Sequence, residues 1–448
     1  MRQVVETYFR EMTMVRGTGS GTSETSYYPP LVNLLNALGA SLRPRVNAMS
    51  QLRNTGSGLP DIGLFTHEQR SALEEGDAII SVPPSRGVLE VKPLRDDVVA
   101  IAGTEQVTRY VERYGQVLVT NYRDFLMVDR DSSGEIRLSE RLAIAPDERA
   151  FWREARDPHG YANEVGDQLT EFLHRLLVRQ VSLTKPEDVA LLLASYARDM
   201  RLRLERQDLD DLAALREALE SSLGISFQGE DGDHFFRSTV VQTLFYGMFS
   251  AWVLQKRDIG RRAADQPFDW RTAGYNLRVP AIQTLFHEFS GPGAVRQLGL
   301  TDVLDWTGEM LNRIDVDQFF ARFAEDHAVQ YFYEPFLEAF DPQLRQQLGV
   351  WYTPPQVVEY MVARVDAALK DEGADALTAN DLKEAVKTRL FGFELLPAPF
   401  VVAHLQLGLA LQELGAPLQS GTNERPAIYL TNALTGWDLS QANTTAQL

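Results

Sequence analysis

The sequence predicts three parts in series. These are an α/β domain with a mixed sheet over residues 1–145, an all-α connector over 146–345, and a partial parallel α/β segment over 346–448. Three observations predict this. Short apolar β-type runs cluster in the first 145 residues around a single helical stretch, in strand–strand–helix–strand order. From about 146 to 345, apolar residues recur at spacings of three and four almost without interruption. Near Gly349 the composition changes again, to a turn, a helix, a strand, a helix and a strand, the signature of parallel α/β structure.

In order along the chain, residues 1–17 read as a helix, GTGSGTSE as a flexible lead-in, and SYYPPLVNLLNALGA as a second helix ending at Gly39. The strand-like runs are LPDIGLF (59–65), GVLEVKP (87–93), GQVLVTN (115–121), DFLMVDR (124–130) and EIRLSERLAI (135–144), with one helix expected over 98–115. The connector contains VALLLASYARDMRLRL (189–204) and STVVQTLFYGMFSAWVLQ (238–255), both at helical spacing. Its stretch LERQDLDDLAALREALESSL is acidic and amphipathic and reads as a solvated face. QGEDGDH, between Gln228 and His234, is acidic but lacks the spacing and closing Glu of an EF-hand. In the last part, GVWYTPPQVVEYMVARVDAALK is a turn and helix, and RLFGFELL (389–396) a strand. PAPFVVAHLQLGLALQELG (397–415) is a helix with prolines tolerated in its first turn, and RPAIYLTNAL (425–434) another strand.

Composition excludes several classes. There is no cysteine, hence no disulfide, thiolate zinc site or cysteine nucleophile. No apolar run approaches the roughly 20 residues that span a bilayer. The N-terminus MRQVVETYFREMTMVRG has no apolar core of a secretion signal, so no membrane partner and a cytoplasmic location are expected. No GKS or GKT occurs, and neither GTGSG (17–21) nor NTGSG (54–58) follows a strand and opens a helix, so no phosphate loop is expected. The net charge of −18 argues at first against a nucleic-acid ligand. It is unevenly spread: residues 1–130 hold 14 basic and 15 acidic side chains, net −1, and the remaining −17 lies beyond. Net charge governs solubility and steering and does not decide whether one groove is basic.

The sharpest chemical signal is Pro60-Asp61 followed by Glu90-Val91-Lys92. Glu90 and Lys92 are two apart on an expected strand, so their side chains share a face. If the strands carrying them are neighbours, Asp61 and Glu90 converge, and two carboxylates with the Val91 carbonyl suit Mg²⁺. Lys92 can then orient or deprotonate water, or steady charge developing on a phosphate. The chain has 6 lysines against 38 arginines, and Lys92 is the only lysine in the first 184 residues. A sequence that nearly always writes Arg writes Lys where a compact ammonium suits a crowded site better than a guanidinium fork. Gln106 and Tyr110, four apart, share a helix face.

On these residues, about 15–145 resembles the PD-(D/E)xK nuclease superfamily in the form found at the N-terminus of restriction enzymes. The resemblance implies that Asp61, Glu90 and Lys92 are the catalytic set and Gln106 and Tyr110 its QxxxY helix. It also makes Glu24 the additional acid of the first helix, although an acid there is equally favoured by the helix dipole.

A second resemblance covers about 325–440, carried by YFYEPFLEAFDPQLRQQLGV, GVWYTPP and LFGFELLPAPFVVAHLQL. It is to the adenine-N6 DNA methyltransferases of single-chain restriction–modification enzymes, closest to the type IIG and type ISP groups, and it implies a partial Rossmann-like α/β methyltransferase domain. Thr353, capping the helix that Pro354 and Pro355 start, would face the carboxylate of S-adenosylmethionine, though a cap needs no ligand. Glu394 would accept the ribose hydroxyls. Asn432 would lie near the adenine ring. The chain departs from the family in two places. Between Lys370 and Phe391 there is neither an apolar strand nor a G-x-G loop, and no Asn-Pro-Pro or Asp-Pro-Pro-Tyr occurs to grip a flipped adenine. The chain alone is therefore not expected to methylate, and a discontinuity near Asp371–Gly373 and further residues after Leu448 are expected of a longer enzyme.

The expected function is a restriction–modification polypeptide: Mg²⁺-dependent hydrolysis of double-stranded DNA, coupled in the complete enzyme to S-adenosylmethionine-dependent adenine-N6 methylation. A dimer on DNA is the expected arrangement if both strands are cut. Two alternatives stay open: a nuclease defence effector whose methyltransferase-like part only binds DNA or cofactor, and a non-catalytic helical scaffold.

Overall fold

A computed structural model describes residues 1–18, 24–42, 45–50, 58–74, 83–131, 134–208, 212–223, 227, 229–257, 266–277, 286, 295–296, 298–323, 332–342, 353, 355–371, 377–394, 397–419 and 424–430. The protein is mixed α/β. It divides into two compact units, Met1–Ser182 and Leu183–Leu448.

The first unit is built on a six-stranded sheet in the order β1-β2-β3-β4-β5-β6. The strands are β1 (Val46–Ser50), β2 (Ile62–Thr66), β3 (Val88–Val91), β4 (Gln116–Thr120), β5 (Asp124–Arg130) and β6 (Ile136–Ala143). Every neighbouring pair is antiparallel except β3–β4, which is parallel. A parallel pair needs a crossover, and α4 (Val98–Ala102) and α5 (Glu105–Tyr114) supply it. The sequence predicts one helix here, but two form. Asp97 caps the first through Val99 N–H and Thr104 caps the second through Val107 N–H, with Gly103 between them.

The central strands are apolar because the sheet is covered on both faces. Alternation sorts the side chains. Leu89, Val91 and Leu118 enter one core with α1 (Arg2–Gly17) and α2 (Tyr28–Ser41), while Val88, Val117 and Val119 enter the other with Val107, Tyr110 and Val111 of α5. In α1, Val5, Tyr8, Phe9 and Met12 are buried, a single stripe at helical spacing. Gly39 permits close approach of α2 to β1, since a Cβ there would lie 2.1 Å from the Val46 carbonyl oxygen. Two helices that composition groups with the connector, α6 (Glu148–Glu154) and α7 (Pro158–Val178), bury Phe151, Trp152, Leu169, Phe172 and Leu173 in the first of these cores. Behind the sheet, Arg175 of α7 bonds Glu140 at 2.9 Å, and Arg179 bonds Glu140 at 3.1 Å and also Asp129.

In the second unit the described elements up to Asp341 are helical, the longest being Pro186–Glu205 and Gly229–Arg257. A short parallel pair follows, β7 (Gly392–Glu394) with β8 (Ile428–Leu430). The helix Pro397–Glu413 lies against it and brings His404 Nε2 to 3.4 Å from the Ile428 carbonyl oxygen. Burial holds the His404 pKa down at about 4. A folded-state pKa below the free value of about 6.5 means that the unfolded chain binds the extra proton first. Stability from neutral His404 is therefore complete above that value and is lost as pH falls toward 4, a loss on the order of 3 kcal/mol. Melting curves between pH 7 and 5 should fall more steeply for the wild type than for His404→Gln, and equal slopes would contradict this.

Described side chains of the helix Pro355–Asp371 are all exposed, including Val357, Val358, Tyr360, Met361, Val362 and Val365. The expected discontinuity near Asp371–Gly373 lies largely outside the described residues, as do Pro354 and Asn432. No helix among the described residues is long and apolar enough to cross a membrane.

Candidate active site

Alternation along β3 decides where Glu90 points. It shares a face with Val88, toward α5, and is 3% exposed. A carboxylate there requires partners, and two residues that the sequence singles out bond it. Lys92 Nζ lies 2.6 Å from Glu90 Oε1 and Gln106 Nε2 donates to the same oxygen at 3.2 Å. Gln106 Nε2 also donates to the Tyr110 hydroxyl oxygen at 3.0 Å, as the four-residue spacing on α5 permits. Burial raises the Tyr110 pKa; the Gln106 bond opposes this, while the Glu90 and Asp61 charges add to it. Both carboxylates are thus within electrostatic reach of one phenol.

Asp61 stands just before β2, and β2 pairs with β3 through Ile62–Leu89 and Gly63–Val88. Beyond that pairing the aspartate itself continues the contact. Its N–H donates to Leu89 O at 3.2 Å, and its Oδ2 accepts from Val91 N–H at 2.7 Å. Its Oδ1 accepts from the Tyr28 hydroxyl at 2.6 Å. The chain before it lies against Tyr110: Gly58, at φ +105°, would place a Cβ 3.1 Å from the Tyr110 ring, so a side chain is unwelcome on both counts. The Val91 carbonyl follows from peptide planarity. Lys92 N–H donates to Thr120 O on β4 at 2.8 Å, so the carbonyl across that trans peptide points the other way, toward the β2 side where Asp61 sits.

The oxygen donors gathered where β2 meets β3 are therefore Asp61, Glu90 and the Val91 carbonyl, all hard oxygen. Among the described residues no group of three or more His, Asp or Glu is arranged to hold a metal, so any cation here relies on two carboxylates and main chain. Glu24 opens the 3-10 turn Glu24–Tyr27 that leads into α2, and its side chain lies outside the described atoms. The residue that sequence reasoning missed is Tyr28: its partner is 33 positions away, and nothing in SYYPP marks a hydroxyl aimed at a carboxylate.

In the second unit, Thr353 is exposed ahead of the exposed helix Pro355–Asp371. Glu394 closes β7, half-buried, with its pKa raised by burial. Neither has a described hydrogen bond to the other.

No family model and no curated protein matches the chain. Among solved structures, one described as "cryoEM structure DrdV-DNA complex" is similar over 100% of this chain and 42% of that chain, at 15% sequence identity and a TM-score of 0.32. This chain thus spans less than half the length of that one.

Proposed function

We propose that this protein is a metal-dependent DNA endonuclease of the PD-(D/E)xK kind, with the N-terminal unit as its cleaving part. One observation carries the reading. Lys92, Gln106 and Glu90 form one hydrogen-bonded set on β3 and α5, and Asp61 is bonded to the main chain of the same strand. The residues fit a divalent cation, because the oxygen donors are two carboxylates and one carbonyl, with no thiolate or imidazole among them. Mg²⁺ bound there supplies Lewis acidity toward phosphate and a more acidic water.

The chain's own groups do the rest. Gln106 keeps Glu90 in one rotamer by donating to Oε1. Lys92 offers a cationic N–H donor that orients an attacking water and offsets negative charge gathering on the phosphate oxygens. Asp61 is held by donors on both oxygens. Incubating supercoiled plasmid with the full chain and Mg²⁺ should give nicked or linear product, suppressed by a chelator. No product over a range of Mg²⁺ and Mn²⁺ concentrations removes the reading.

In the fuller reading the chain belongs to a restriction–modification enzyme that also performs adenine-N6 methylation, with Glu394 accepting the ribose hydroxyls of S-adenosylmethionine. Repeating the digestion with that cofactor tests the coupling. A changed rate, lost in Glu394→Ala, supports it; an unchanged rate leaves an endonuclease without a cofactor link.

A further inference from the structure

The bond from Tyr28 to Asp61 differs in kind from the others at this site. Val91 N–H is part of β3 and would be present whatever side chain stood at 61, whereas the Tyr28 hydroxyl arrives from a separate helix. Its position there is constrained. Tyr28 begins α2 and is followed by Pro29 and Pro30, whose rings fix the backbone at the start of the helix. It is 9% exposed, and it belongs to the same buried core as Leu31, Leu34 and Leu35 of α2. The ring therefore cannot follow Asp61 if the aspartate turns.

Asp61 needs such a constraint. It precedes β2 and lies outside the ladder, and a carboxylate has two side-chain torsions to settle. Val91 N–H on Oδ2 alone leaves the carboxylate free to rotate about that bond. A second donor on Oδ1 fixes its plane. Each carboxylate oxygen can accept about two bonds, so both donors together still leave lone pairs on each oxygen for a cation.

We propose that Tyr28 is a positioning residue of this site: its hydroxyl sets the plane in which Asp61 presents its remaining lone pairs to a divalent cation. This rests on the endonuclease reading and adds to it a residue outside the Asp61/Glu90/Lys92 set. Tyr28→Phe in the full chain keeps the ring and removes the donor. Mn²⁺ affinity by calorimetry should weaken about tenfold, near 1.4 kcal/mol. The Mg²⁺ concentration for half-maximal plasmid cleavage should rise by a similar factor, with DNA affinity in the presence of a chelator unchanged. In an Asp61→Ala background the same substitution should add no further loss.

Unchanged Mn²⁺ affinity and Mg²⁺ dependence in Tyr28→Phe, with or without a lower melting temperature, overturn the proposal and leave Tyr28 a structural residue. Those results are distinguishable from failure of the underlying reading. A wild-type chain that neither binds Mn²⁺ nor cuts removes the nuclease and this role together. A wild type that does both, matched by Tyr28→Phe, removes the role of Tyr28 alone.

Discussion

On the endonuclease reading, replacing Lys92 with alanine should lower the single-turnover rate of plasmid cleavage by roughly 10²–10⁴-fold, the range typical of losing a positioned proton-transfer group or a charge-stabilising donor. The expectation follows from where Lys92 Nζ sits, 2.6 Å from Glu90 Oε1 on a carboxylate that is almost fully buried. Lys92→Arg should be nearly as inactive: a guanidinium is larger, planar and never deprotonated, and it cannot occupy the space of an ammonium. Asp61→Ala should fall into the same range, since it removes one of the two carboxylates. Because Lys92→Ala also strips a counter-charge from buried Glu90, melting temperatures should accompany the rates. Cleavage by Lys92→Ala or Asp61→Ala within tenfold of wild type would sink the assignment of this site.

Glu140→Ala should destabilise the N-terminal unit by about 3–5 kcal/mol, the usual cost of removing one partner from a buried ion pair. Glu140 is 0% exposed on β6 and lies between two guanidiniums, Arg175 at 2.9 Å and Arg179 at 3.1 Å. Without it, Arg175 loses the carboxylate at 2.9 Å, while Arg179 keeps its bond to Asp129. Asp129→Ala should cost less, because Arg179 then keeps its bond to Glu140. Chemical denaturation of the full chain, followed by a probe in the first unit, measures both. A loss under about 1 kcal/mol for Glu140→Ala would mean that water replaces the carboxylate, contrary to the cost expected for an uncompensated buried charge.

What the sequence shows of this site is what local periodicity controls. The two-residue step from Glu90 to Lys92 sets a common face on a strand, and the four-residue step from Gln106 to Tyr110 does so on a helix; the observed bonds run along both. Partners chosen by tertiary packing leave no such trace, which is why Tyr28 was invisible. The strand Val46–Ser50 was missed because it lies at the edge of the sheet, where Asn47, Met49 and Ser50 need not be buried and the apolar alternation is faint. Helix α3 (His67–Glu74) is hard to see in the sequence for a related reason: HEQRSALE carries little apolar signal. Helices α6 and α7 were legible as helices, but an apolar stripe does not say which core it will face. In the C-terminal segment, Pro355 does open a helix, yet that helix leaves its described valines in solvent, a matter of docking that no spacing rule addresses.

The parallel pairing of β3 with β4 has a consequence for the order of assembly of the first unit. β4, β5 and β6 follow one another through short turns, so their contacts close small loops. β3 pairs with β2 across residues such as Ile62 and Leu89, and with β4 across Val88 and Val117, so both its neighbours are distant in the chain. Loop-closure entropy delays such contacts relative to local ones. The strand that carries Glu90, Val91 and Lys92 is therefore expected to dock late, onto a meander already formed. Folding kinetics should report this as high φ-values for Val117→Ala and Val128→Ala and low ones for Val88→Ala and Leu89→Ala. The reverse order would contradict it. A nascent or partly unfolded chain would then hold its meander without the strand that carries Glu90, and the proposed site would come together only when β3 has docked.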